Sequence, residues 1–225
     1  MIGRILGAAL AALGGIVAPV AAQDTPANNN QIAVLMIVDY GRSYGYQTMI
    51  ARIQLETDRA ELERDRVVLA QKEELFRNQR IPQVEVDIAR LKDEWNRRQL
   101  VVSEKSLAYV SAEYEAMIQL ARHFGGGQPA TAEMLYATFR RGWDAGCDKG
   151  PDEVAAMKAR MDFLAKSLER ARQLHAQQNE SYASVLEKET QLKIATADYG
   201  NRAAGIEKCR IVLFPSLSDI LAIKP

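Results

Sequence analysis

Two histidines and two cysteines are the residues of this 225-residue chain best suited to metal binding or nucleophilic chemistry. His123 and His175 stand far apart, with no acidic or thiol ligand at metal spacing around either. No HExxH, GxSxG or phosphate-loop motif is present. The run "GGGQPA" at 125–130 lacks the lysine and hydroxyl residue of a phosphate loop, and it closes a helical pattern instead of opening one. His175 falls on an apolar seam, where a polar side chain sets register. The 29 Asp and Glu residues alternate with 29 Lys and Arg, the pattern of solvated helix faces rather than acid–base pairs. The sequence therefore offers no catalytic, cofactor-binding or metal-binding residues, and the expectation is a protein that is not an enzyme. Zero net charge gives no basic footprint for nucleic acid and no small-molecule site stands out.

Cys147 and Cys209 take their meaning from the N-terminus. "MIGRILGAALAALGGIVAPVAAQ" carries one basic residue, Arg4, before an apolar run from Ile5 to Val17, then Pro19 and Val20-Ala21-Ala22. Small residues at the last and third-from-last positions fit a signal peptide (1–22) cleaved after Ala22, and the run is short for a span of about 20 residues. The chain is thus expected in the periplasm. Loss of Arg4 leaves 28 basic against 29 acidic residues, a net charge of −1. In an oxidising compartment two cysteines outside a CxxC motif read as one disulfide, the other reading being two buried thiols.

The elements follow from periodicity. Residues 23–47 hold a polar linker, "DTPANNNQ", and an apolar segment, "IAVLMIV" at 32–38, which fits a short strand or the first turns of a helix. Gly41 and Gly45 mark either a small-residue stripe on a helix or a loop. From Thr48, Leu55, Leu62, Leu69 and Phe76 recur every seven residues, the repeat of a coiled-coil seam. Pro82 disfavours helix at Ile81 and suits the first position of a new helix. Residues 48–124 thus read as a first antiparallel helical hairpin with its tip at 78–83. Residues 125–150 read as a loop and a short helix from Thr131 to Asp144, followed by the loop "DAGCDKGPDE". Pro151 opens 151–210, which is either one helix or a second hairpin turning near "HAQQNES" at 175–181. A straight helix would hold the cysteines about 90 Å apart, so a bridge requires the turn. The tail 211–225 is apolar, and its "IVLF" fits a strand or helix turns. The fold expected is all-α, elongated antiparallel helical hairpins joined by a short helix and a disulfide.

Residues 69–99, "LAQKEELFRNQRIPQVEVDIARLKDEWNRRQ", resemble the coiled-coil hairpin of periplasmic adaptor (membrane fusion) proteins. That family shows a leucine-bearing turn, a short tip, and a Glu-x-Asp-like start to the returning helix. Leu75, the tip Arg80-Ile81-Pro82, and Glu85 with Asp87 stand at matching places. The family's arginine four before the leucine and serine seven after it are Gln71 and Pro82 here, and its flanking β-rich domains have no counterpart. The resemblance implies a tip that contacts an outer-membrane channel protein or another transport component. The partner-binding residues would be Leu75, Arg77, Arg80, Ile81, Pro82, Gln83 and Val84, with Ile81 and Val84 as exposed apolar anchors. The functional expectation is a non-enzymatic exported interaction protein of the bacterial envelope, of an efflux or secretion assembly, with a homo-oligomer compatible. The alternative is a periplasmic holdase chaperone or structural spacer.

Overall fold

A computed structural model describes residues 29–124 and 131–211, with side chains described for 34–124 and 131–206. The described chain is all-α. It forms four helices: α1 (Asn29–Arg77), α2 (Gln83–Phe124), α3 (Ala132–Ala176) and α4 (Tyr182–Ile211). At 1.5 Å per residue, α1 is about 73 Å long. Residues 1–28, 125–130 and 212–225 lie outside the described residues, and with them the signal peptide, the glycine run and most of the apolar tail.

Among the described residues each helix packs only on its neighbours in the chain: α1 on α2, α2 on α3, α3 on α4. The cross-helix contacts descend one helix as they climb the next. Thr48 reaches the Val110 carbonyl, Asp65 meets Asn96, and Lys72 meets Glu85. Arg170 returns to Glu85, and Thr138 binds Gln119. The four helices are thus a row of antiparallel neighbours with α1 and α4 at its edges, and not a closed bundle.

The buried seam between α1 and α2 keeps the seven-residue period but is only half apolar. Thr48, Leu55 and Leu62 are buried on α1, and so are Asp58 and Asp65. They face Val86, Ala89, Asp93, Asn96, Ser103 and Val110 of α2. Phe76 leaves the pattern and is 39% exposed, because α1 ends one residue later and the chain turns away. The α3–α4 contact is more apolar, around Leu168, Ala171, Val185 and Leu192.

The structure resolves two readings the sequence left open, at 32–47 and 151–210, and overturns one, the loop before Pro151. Residues 32–38 are helical, and α1 begins at Asn29 rather than Thr48. Gly41 and Gly45 lie on that helix against α2: a β-carbon on Gly41 would stand 3.6 Å from Met117 Cβ, and one on Gly45 3.2 Å from the Tyr114 ring. The expected loop at 145–153 is instead continuous helix, with Pro151 inside α3. Thr131 caps that helix, accepting a hydrogen bond from Met134 N–H at 3.2 Å. Proline removes one intrahelical donor. Lys105 of α2 also binds this stretch, donating to the Asp148 carbonyl at 3.1 Å and pairing with Asp152. Close packing of Gly146 on the Tyr109 ring and of Gly150 on Ile206 holds this stretch from both sides. Composition marked a loop there, and tertiary contacts override it. Within 151–210 the chain breaks at 177–181, so two helices fill that range.

Candidate interaction surface

Two turns, 78–82 and 177–181, share one construction. After α1, Gln79 adopts φ 55°, its N–H bonds the Phe76 carbonyl at 2.8 Å, and Arg80 N–H bonds the Leu75 carbonyl at 2.9 Å. After α3, Gln178 adopts φ 61°, its N–H bonds the His175 carbonyl at 2.9 Å, and Asn179 N–H bonds the Leu174 carbonyl at 2.9 Å. Both are Schellman closures with a left-handed residue where glycine is the usual choice. Pro82 and Ser181 then hold equivalent places at the head of the next helix. Glu85 N–H bonds the Pro82 carbonyl at 3.1 Å, and Ser184 N–H bonds Ser181 Oγ at 3.2 Å.

Both turns lie at the same end of the molecule, because Glu85 ties three helices together just behind them. Its carboxylate accepts from Arg170 of α3 at 2.9 Å and from Lys72 of α1 at 3.4 Å. Burial pushes this carboxyl up, but the hydrogen bonds from Arg170 and Lys72 and their charges outweigh it and hold Glu85 below its ordinary value. Asp87, the other acidic residue of that motif, accepts from Gln83 at 2.8 Å.

The residues expected at the tip divide in two. Arg77, Arg80, Pro82 and Gln83 are exposed, whereas Leu75, Ile81 and Val84 are half-buried. Ile81 and Val84 are thus only partly exposed, and Phe76 is the large apolar side chain exposed at this turn. Arg77 Nε donates to its own helix at the Glu73 carbonyl, 3.4 Å away. Arg80 has no ion pair within the described residues. His175 is exposed instead of lying in a seam, and its Nδ1 stands 2.9 Å from the Glu180 carbonyl across the second turn. His123 sits at the opposite end of α2, edge-on to Phe124. Trp95 stacks on Phe163 between α2 and α3, with ring centroids 5.7 Å apart.

The reading of carboxylates as uniformly surface groups fails at the α1–α2 seam. Asp65 accepts from Asn96 at 2.8 Å and pairs with Arg64 and Lys92, both at 2.9 Å. Burial raises its carboxyl, and the hydrogen bonds from Arg64 and Lys92 bring it below the usual range. Asp58 accepts from Ser103 Oγ and, at 2.8 Å, from Gln54. Asp93 pairs with Arg97 at 2.6 Å. Asp58 and Asp65 are thus bonded across the seam, whereas Asp93 Oδ1 is buried without a hydrogen-bond partner, with Arg66 Nε 4.0 Å away. Among the described residues no set of three or more His, Cys, Asp or Glu side chains is placed to hold a metal. No described helix is long and apolar enough to cross a membrane. Cys147 is not a free thiol, while the side chain of Cys209 lies outside the described residues.

Comparison with protein-family models, with curated proteins and with solved structures finds no match.

Proposed function

We propose that this chain is a non-enzymatic, exported interaction protein of the bacterial envelope that docks a partner through the end formed by its two turns. In this reading residues 1–22 are a signal peptide, the mature chain is periplasmic, and its helices work as elongated coiled-coil hairpins. The observation that carries it is the shared construction of the two turns at one end, with Arg77, Arg80 and Gln83 exposed there. The likeness of residues 69–99 to adaptor hairpins gives the partner class: an outer-membrane channel or another transport component. A Cys147–Cys209 bridge belongs to the same proposal. Gly150 lies against Ile206, and each cysteine is three residues along its helix from that contact, which supports the pairing.

Photo-crosslinking in cells tests the docking. A crosslinking residue at Gln83, with Ala108 on the shaft as control, is expected to yield a discrete adduct from position 83 alone, identified by mass spectrometry. Equal adducts from both positions, or none from 83, would remove the turn end as a docking site. The alternative, a holdase chaperone, draws support from the apolar side chains exposed on α1, among them Leu35, Tyr46 and Ile53. Suppression of aggregation of a denatured client protein at stoichiometric ratio separates it from the first.

A further inference from the structure

The outward face of α1 carries a second apolar stripe that nothing in the described chain covers. Tyr46, Met49, Ile50 and Ile53 are 60%, 52%, 46% and 61% exposed. At 100° per residue they fall in one arc of about 100°, opposite Thr48, Leu55 and Leu62 of the seam. The seven-residue series Tyr46, Ile53, Ala60 and Val67 extends this stripe down the helix, all of it exposed. A helix with heptad spacing on two opposite faces has room for two helical neighbours. α1 has one, α2.

We infer that this stripe is the interface with a second copy of the chain, α1 against α1, running antiparallel about a two-fold axis near Met49 and Ile50. The patch is self-complementary in that direction. It sets Tyr46 against the second copy's Ile53 and Met49 against its Ile50, and it brings Arg42 level with its Thr57, one residue from its Glu56. A parallel, in-register pairing would instead oppose Glu56 to Glu56 and Arg64 to Arg64, which repel. The apolar stretch 212–225 of the same chain is a poorer occupant. It departs from the end of α4, at the edge of the row opposite α1, its run is broken by Pro215, and it lacks a seven-residue repeat. A closed two-fold contact also removes the exposed edge from both copies. The inference stands apart from the docking end, which it leaves open.

Sedimentation equilibrium and cysteine crosslinking on the purified chain test it. A reversible monomer–dimer equilibrium is expected. Ile53→Glu should abolish the dimer and leave the thermal melt unchanged at dilutions where wild type is also monomeric, because that side chain is exposed in the single chain. Under zero-length oxidation, Tyr46→Cys combined with Ile53→Cys should form covalent dimers, and Tyr46→Cys alone should not. A wild-type chain that stays monomeric to its solubility limit overturns the inference, and so does an Ile53→Glu variant that still dimerises. Efficient self-crosslinking of the single Tyr46→Cys variant overturns the antiparallel arrangement. Dimers that appear only after deletion of 212–225 would assign the stripe to the tail.

Discussion

Gln79 and Gln178 occupy left-handed backbone at the two turns, where a side chain is strained and glycine is not. Gln79→Gly and Gln178→Gly should each stabilise the chain by about 0.5–1 kcal/mol. The check is a higher urea midpoint with an unchanged slope. A loss of stability would mean that the glutamine side chains hold the turns in some other way. Glu113 makes the opposite kind of residue-scale prediction. Burial raises its carboxyl above the ordinary value, so the folded state binds this proton more tightly than the unfolded chain does. Ionised Glu113 therefore costs stability, and the cost appears as pH rises through its unfolded value and on to its folded one. Glu113→Gln should melt higher than wild type at neutral pH, and the difference should close as pH falls below about 4, where the unfolded carboxyl also protonates. Asp65 and Glu85, held low, act in reverse. Their contribution is complete above the ordinary carboxylate range and is lost as pH drops through their folded values.

At the scale of elements, the polar layers of the α1–α2 seam decide how the two helices align. Asp58 with Ser103, Asp65 with Asn96 and Lys72 with Glu85 are matched pairs, spaced in step with Leu55 and Leu62. A slip of one heptad would leave buried polar groups without partners, which costs about 1–3 kcal/mol each. Asp65→Ala alone should thus destabilise by about 2 kcal/mol. Asp65→Leu combined with Asn96→Leu should restore stability but admit alternative registers. Spin-label distances across the seam would show them as a broadened distribution; a single sharp distance would deny the pair a role in register. This layer also marks where the sequence was readable. Leu55 and Leu62 announce the seam by their period, and Pro82 announces the turn by its backbone chemistry. Asp58 and Asp65 share that period, yet a reading by hydropathy puts carboxylates outside, because burial of a charge depends on partners from another helix. The continuity of α3 through Pro151 was hidden for a similar reason. The contacts that pack this stretch, Lys105 on the Asp148 carbonyl and Tyr109 on Gly146, come from α2. The two-turn end was half legible: the first turn shows in its proline, whereas the equivalence of the second rests on the φ of Gln178.

For the whole molecule, the governing feature is that every helix leans only on its neighbours in the chain. Stability in such a row is close to a sum of adjacent interfaces, as in repeat arrays. The edge helix α4, the shortest, should open before the centre does. Hydrogen exchange should protect the middle of α2 and α3 most, and equal protection across all four helices would contradict a row. The row also has a mechanical direction. The start of α1 and the end of α4 point away from the end that carries the turns. Tension applied between those two points would peel one layer of side chains at a time, as a zip opens, and yield at low force in steps. Tension applied between the turns and the opposite end would instead load every layer of the α1–α2 seam at once in shear. A protein held at one end and gripped at its turns would be stiff along its length, while it remained easy to take apart from its own termini.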